Sequence, residues 1–540
     1  MPTCGEVLVK LLENYGVDTV FGIPGVHTVE LYRGMENTSI RHITPRHEQG
    51  AGFMADGYTR ASGKIPACFI ITGPGMTNIA TAMGQAMADS VPMLVISSVN
   101  RTWELGMGEG RLHEMRNQSN MISGVAKFSH TLMRPDELPK VIARAFNIFN
   151  CMRPGPVHIE IPIDVIIEDA AHTNSIAYSI ANAPGADPKA VSQSANLLHT
   201  AQRPLIVVGG GAIKAAREIV DLAEKLDAPV MNTVNGKGII PHTHPLALGS
   251  SGSAEPIRKE ICQSDVVLAI GTEFSETDYD YFFKGALNLK GKLIRIDIDA
   301  EQLTRNLRSD IAICSDAGNA VHSILGALPS SKSGGRAGNE RTRIIRSQIQ
   351  ELRDPDYAAF FRTIRSALPD VIIAGDSTQP TYYAWLQYET DAPRKYFHSA
   401  SGFGTLGYAI PAAIGAKLAM PELPVIGLIG DGASQFSIGE LASAVEAGLP
   451  VIFLIWNNTG YGEIKKFMLE GDIPTIGVDI HTPDFQGIAK AFGCHATNPR
   501  TLEQLGIELI KANNQQLPTV IEVRQSDFAN GGPNLQSSGN

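Results

Sequence analysis

Short apolar runs ended by glycine or proline recur along the chain and alternate with stretches of helical period. They lie at 17–20, 67–71, 92–96 and 156–162, then at 204–211, 265–271 and 292–297, then at 370–375, 424–429 and 450–456. Helical patterns at 78–89, 212–226 and 439–448 fall between them. Strand–helix–strand units in series predict parallel sheets with helical crossovers. The grouping predicts three doubly wound parallel-sheet α/β domains, at 1–169, 188–328 and 350–525. The polar, Ala- and Asn-rich stretch 170–187 reads as a linker, as does 329–336 with its Ser and Gly. The polar tail 526–540 reads as a flexible end or an active-site lid.

The length of 540 residues agrees, being too great for one core. A net charge of −10 argues against nucleic acid as a partner. Six scattered cysteines without a CxxC read as buried thiols of a reducing compartment. No signal-peptide pattern opens the chain, and no apolar run approaches the ~20 residues of a membrane span. The expected location is the cytoplasm, with no membrane association.

The densest chemistry lies at 430–462. Gly430-Asp431-Gly432 ends one apolar run, and Asn457-Asn458-Thr459-Gly460-Tyr461-Gly462 ends the next. Ligands of parallel sheets sit at the carboxyl ends of strands. A carboxylate, an amide and nearby carbonyls are hard oxygen donors that suit Mg²⁺, which fills its other positions with phosphate oxygens and water. The glycines let a phosphate approach backbone N–H groups at a helix start. A second signal is the Pro24-Gly25 loop before His27, followed by Glu48, which opens a helix of small residues. By itself Glu48 reads first as a first-turn acid favoured by the helix dipole.

GDG followed by an Asn pair, with Asn458 27 residues after Asp431, resembles the signature of thiamine diphosphate enzymes. The stretch around Glu48 resembles the pyrimidine-domain signature of the same family. The resemblance covers nearly the whole chain, in the order pyrimidine, middle and diphosphate domain. It implies Mg²⁺ held by Asp431, Asn458 and the Gly460 carbonyl, and Glu48 against the aminopyrimidine ring, where it promotes formation of the ylid. The run 401–415 resembles the core of the acetohydroxyacid synthase–decarboxylase–lyase group, in which the residue at Leu406 is an aliphatic wedge under the cofactor. The loop holding Ser377, Thr378 and Gln379 is implied to help hold the diphosphate. Pro24, Gly25, Gly404, Gly430, Gly432, Ala433, Tyr461 and Gly462 complete the expected cofactor contacts. The family also implies a homodimer or homotetramer, with Glu48 and the GDG–NN unit of one site drawn from different subunits because the two domains of one chain do not face each other.

The substrate side departs from acetolactate synthases, with His113-Glu114 in place of a Phe-Gln pair and Glu463 in place of a Met. His27 and His113 are candidate proton donors to a decarboxylated enamine. Glu114 and Glu463 would suit a substrate with a distal cation. Their plainer readings are a solvated loop acid for Glu114 and pairing with Lys465 or Lys466 for Glu463. The N-terminal third is similar to 5-guanidino-2-oxopentanoate (2-ketoarginine) decarboxylases, which makes a basic 2-oxo acid the first expectation. An acetolactate-synthase-like carboligase is the alternative. A non-catalytic paralogue is disfavoured by retention of Glu48, Asp431 and Asn458. In the middle domain Gly209-Gly210-Gly211 follows a strand, but the spacing is not G-x-G-x-x-G and Asp297 lies far beyond the usual ~20 residues. FAD there is the lesser expectation, an empty domain the greater.

Overall fold

The structure is a computed structural model that describes residues 1–329 and 337–528. Residues 330–336 of the expected linker 329–336, and residues 529–540 of the expected tail, lie outside the described residues. The strands, in chain order, are β1 (Thr19–Gly22), β2 (Arg41–Ile43), β3 (Ala67–Ile70), β4 (Met93–Val99), β5 (Phe128–Thr131), β6 (Pro156–Pro162), β7 (Pro204–Val208), β8 (Val230–Asn232), β9 (Ala247–Gly249), β10 (Val266–Ile270), β11 (Lys292–Asp297), β12 (Ile311–Cys314), β13 (Ile372–Gly375), β14 (Tyr396–His398), β15 (Val425–Gly430), β16 (Ile452–Asn457), β17 (His495–Thr497) and β18 (Thr519–Arg524). They form three six-stranded sheets, ordered β2-β1-β3-β4-β6-β5, β12-β11-β10-β7-β8-β9 and β14-β13-β15-β16-β18-β17. All pairings within them are parallel.

The first and third sheets share one winding, 2-1-3-4-6-5, and the middle sheet reads 3-2-1-4-5-6. Each order has a central reversal: between β1 and β3, between β13 and β15, and between β7 and β10. Crevices at such reversals, outside the carboxyl ends of the strands, are where open α/β sheets bind ligands. The loops Pro24–Gly25 and Thr72–Gly75 flank the first reversal. The loops at Ser377 and Asp431 flank the second.

The first and third domains pack directly against each other. Helix Glu48–Ser62 lies along helix Ala409–Ala419, and residues of both join one core that includes Phe53, Met54, Tyr408 and Ala412. Contact is close because glycines face backbone: a Cβ at Gly57 would overlap the Ala412 carbonyl, and one at Gly415 the Met54 carbonyl. Tyr408 donates to Asp56 across the interface, and Arg60 pairs with both Asp56 and Asp89. The expectation that these two domains of one chain do not face each other is therefore corrected. Segment 170–187 is held along the first domain by bonds such as Asn14 Nδ2 to the Ser175 carbonyl and Ala181 N–H to Asn147.

Two helices differ from the sequence expectation: the one expected at 212–226 opens with a 3₁₀ stretch, Gly210–Ala215, before helix Ala216–Leu226. The helix expected at 439–448 is a 3₁₀ turn, Ile438–Glu440, followed by helix Leu441–Glu446. Its buried Glu440 reaches into the first domain and accepts the N–H groups of Arg46 and His47 at 3.0 Å. β18 carries Glu522 inside an otherwise apolar run, and the buried carboxylate accepts from Asn457 Nδ2 at 2.8 Å.

Candidate functional site

At the reversal of the third sheet, β15 delivers Asp431 and β16 delivers Asn457 and Asn458. Asp431 is buried, and burial pushes its carboxyl up while hydrogen bonds oppose that shift. Its Oδ2 accepts from Gly460 N–H at 3.0 Å and Thr482 Oγ1 at 3.1 Å, and its Oδ1 accepts from Asn458 N–H at 3.3 Å. The two asparagines divide the work. Asn457 faces inward, bonded to Glu522 and accepting Thr459 N–H at 3.0 Å. Asn458 faces the crevice, with its side-chain oxygen 3.1 Å from Asp431 Oδ1 and 2.9 Å from the Gly460 carbonyl oxygen. Three oxygens so close repel unless the amide turns over or a cation lies among them. Neighbouring oxygens of an octahedral Mg²⁺ with bonds of about 2.0–2.1 Å stand about 2.9 Å apart, so the donor set fits that ion.

The surrounding loops meet at the same point. Thr378, the N-cap of helix Gln379–Gln387, lies against Gly430, and the Tyr461 ring lies against Gly432. Gly430 caps the short helix that holds Gly432 and Ala433. Gly462 abuts the Asn458 amide. Asp376 is fully buried and accepts the N–H groups of Ser377, Gly407 and Ala409. Burial raises its carboxyl to about 6. Ser377 and Ser399 donate to the Thr405 carbonyl, which with Asp376 fixes the turn carrying Gly404 and the half-buried Leu406.

At the reversal of the first sheet, Gly25 packs on Ile71, and the turn Thr72–Gly75 leads into helix Pro74–Ala88. Asn78 on that helix donates to Glu48 Oε2 at 2.9 Å, and Gly75 lies against Oε1. Glu48 and Asp431 thus have separate partners, one set in each domain.

His27 and His113 come together, with ring centroids 5.4 Å apart at 72°. His27 is buried, its Nδ1 has no partner among the described residues, and burial followed by the charge of His113 lowers its basicity. His113 adopts a left-handed φ of 58°, with its backbone against Gly73. Glu114 does not present a free carboxylate. Gly108, Glu109 and Arg111 donate their N–H groups to it at 2.7, 3.3 and 2.9 Å, and these bonds hold its carboxyl below the usual range. Glu114, a candidate for a substrate's cationic tail, thus also organises its own loop. Glu463 is half-buried in the first turn of helix Gly462–Glu470. Lys465 pairs with Asp479 and Lys466 with Glu470, so neither takes up Glu463. Burial first, and the charge of Glu463 after it, push up the hydroxyls of Tyr357, Tyr382 and Tyr383.

Sequence reasoning missed Thr482, Asn78 and Glu440. Thr482 lies 51 residues from Asp431, and no pattern links the two. Asn78 follows the Gly-Pro-Gly turn, which was a usable signal. The middle sheet's reversal opens onto a cavity of about 610 Å³ shared with the first and third domains, lined by Gly209, Gly211, Asn235, Asp297 and Arg394 among others.

Comparison with known proteins matches the description "Thiamine pyrophosphate enzyme" three times: the N-terminal TPP binding domain over residues 2–121, the central domain over 191–324 and the C-terminal TPP binding domain over 376–523. The chain is 44% identical over 532 residues to a probable 2-ketoarginine decarboxylase of Pseudomonas aeruginosa, covering 97% of this chain and 94% of that protein. It is 31% identical over 553 residues to a probable acetolactate synthase large subunit of Methanocaldococcus jannaschii, covering 96% and 91%. Similarity spans every domain and both sheet reversals where the candidate residues gather, and the chain belongs to the thiamine pyrophosphate enzyme family.

Proposed function

We propose that this protein decarboxylates a 2-oxo acid with a cationic tail, of the 5-guanidino-2-oxopentanoate type, without oxidation and with Mg²⁺ beside thiamine diphosphate. The observation that carries this reading is the greater identity to the 2-ketoarginine decarboxylase than to the acetolactate synthase, at nearly full coverage of both.

Thiamine diphosphate, when bound, supplies the carbon nucleophile and the sink for the electrons left by CO₂. The protein's residues position it and manage protons. Asp431, Asn458 and the Gly460 carbonyl are the Mg²⁺ ligands. The backbone around Ser377, Thr378, Gln379, Gly430, Gly432 and Ala433 receives the diphosphate. Pro24, Gly25, Gly404, Leu406, Tyr461 and Gly462 would line the cofactor. Glu48, steadied by Asn78, holds and moves a proton at the pyrimidine ring. Neutral His27 and its neighbour His113 take and return a proton on the substrate side. Glu463, free of the lysines on its own helix, is the acid for the substrate's cation.

The active form is a homodimer or homotetramer working in the cytoplasm. Supporting this, exposed apolar side chains sit beside site residues: Val26, Leu112, Phe403 and Phe436 on loops and Ile464 on helix Gly462–Glu470. A second copy would cover them.

The test is CO₂ release from a panel of 2-oxo acids, with products analysed as aldehyde or acyloin. The guanidino acid should exceed pyruvate roughly tenfold to hundredfold in kcat/KM, the worth of one buried charged contact. Glu463→Gln should erode that preference and leave cofactor affinity alone. Equal turnover of pyruvate with acyloin as product would move the assignment to an acetolactate-synthase-like carboligase. No turnover of any 2-oxo acid by the holoenzyme would leave the non-catalytic reading.

A further inference from the structure

Beneath the turn at the first-sheet reversal lies a buried polar network that no contact with substrate or cofactor explains. At its centre is Gln118, the first residue of helix Gln118–Ile122. Its Oε1 accepts from Thr72 Oγ1 at 2.9 Å and Gly73 N–H at 3.1 Å. Its Nε2 donates to Ser97 Oγ at 3.0 Å, the Ser98 carbonyl at 3.2 Å and Glu160 Oε2 at 2.9 Å. Both ends of the amide are used: its oxygen takes two donors, and its two N–H groups are shared among three oxygens, a pairing of acceptor and donors that an amide supplies. The network continues outward. Glu160 Oε1 accepts from Thr131 at 2.6 Å, and Ser97 is bonded to the buried His158, which is bonded in turn to Ser129. Such a fully satisfied network holds one geometry, because breaking any link strands a buried polar group.

The turn that Gln118 grips is where the candidate proton-handling groups meet. Gly73 has a φ of 71° and caps helix Pro74–Ala88. It leaves no room for a side chain beside the His113 backbone, which a Cβ would meet at 2.7 Å. Gly75 touches Glu48, and one turn along the helix Asn78 donates to Glu48 Oε2. A shift of Thr72 and Gly73 would carry Asn78 away from Glu48 and His113 away from His27.

We propose that Gln118 is a positioning residue for Glu48: by fixing the Thr72–Gly75 turn, it sets the hydrogen bond from Asn78 that orients the Glu48 carboxylate. This rests on the reading of Glu48 as the proton-handling acid. Gln118 is buried beneath the turn and bonded to Thr72, Gly73, Ser97, Ser98 and Glu160, so its effect passes through the turn to Asn78.

The experiment is a double-mutant cycle on the Mg²⁺- and thiamine diphosphate-loaded enzyme, reading kcat and KM on the best substrate of the panel. Gln118→Met keeps the length and removes the amide. Thr72→Val removes one donor to Oε1 at constant shape and serves if the first variant fails to fold. Each should lower kcat about tenfold while KM moves little, since a displacement near 1 Å at a catalytic group costs up to about a hundredfold. Asn78→Ala should lower kcat similarly, and combining it with either variant should add almost nothing, because both act through one hydrogen bond. A folded Gln118→Met or Thr72→Val enzyme with unchanged kcat would overturn the proposal. So would losses that multiply in the double variant. Glu48→Gln separates the two readings: full activity there removes the assignment of Glu48 itself, whereas inactivity there with normal kcat in the Gln118 and Thr72 variants removes this proposal alone.

Discussion

Glu440→Ala tests whether the third domain sets the start of the Glu48 helix. The buried carboxylate receives the N–H groups of Arg46 and His47 at 3.0 Å and Ser443 Oγ at 2.7 Å. Burial pushes the carboxyl up, and these bonds hold it down. Hydrogen bonds to a charged acceptor contribute roughly 1.5–3 kcal/mol each. Two backbone donors left without an acceptor would cost ~3–6 kcal/mol, partly offset because alanine removes a carboxylate that was costly to bury. A net loss of ~3 kcal/mol corresponds to a melting-point drop of about 6–12 °C for a domain of this size. Glu48 immediately follows His47, so the loss should also reach activity, by about tenfold or more in kcat. Thermal unfolding followed by circular dichroism and CO₂ release measured on the same preparation give both numbers. Glu440→Gln, which keeps one acceptor oxygen, should fall between. A Glu440→Ala enzyme that melts within ~1 °C of the parent, with unchanged kcat, would show that the interdomain carboxylate does not hold this helix.

Further expectations are equally direct. Asp431→Ala should weaken Mg²⁺ binding by at least about tenfold in a titration of metal-free enzyme with thiamine diphosphate present, because the only carboxylate of the donor set is lost; unchanged affinity would place the ion elsewhere. Gly415→Val should cost at least ~1–3 kcal/mol, since the added side chain overlaps the Met54 carbonyl; a normal melting temperature would refute the close helix approach. Burial holds the imidazoles of His158 and His398 down to about 3. In the unfolded chain they take up protons below about pH 6.5, so stability falls as pH drops through that value, by ~2 kcal/mol per histidine at pH 5. Denaturant unfolding at pH 7 and pH 5 should show that slope, reduced by ~2 kcal/mol in His158→Gln, and an equal slope in parent and variant would refute it.

Much of this protein was legible in its sequence because the signals are local. Apolar runs punctuated by glycine and proline revealed the strands around which each sheet is built. The spacing of Asp431 and Asn458 marked one strand–helix–strand unit, and the position of Glu48 at a helix start was readable from the small residues after it. Strands of three residues, such as β2, β8 and β14, were not legible, because so short a segment carries no period of its own and gains its structure from the neighbour it pairs with. Side-chain direction was not legible either. Sequence offered Glu114 and Glu463 alike, and only tertiary structure showed their partners: backbone N–H groups of its loop close on Glu114, while the lysines beside Glu463 turn to other acids. Only the folded chain decided that glycines at 57 and 415 bring the first and third domains into contact, that Glu440 crosses that contact, and that Thr482 reaches Asp431. The strands follow from patterns that each segment carries alone. The partners of each carboxylate depend on groups tens to hundreds of residues away, which meet only after three sheets have formed and packed.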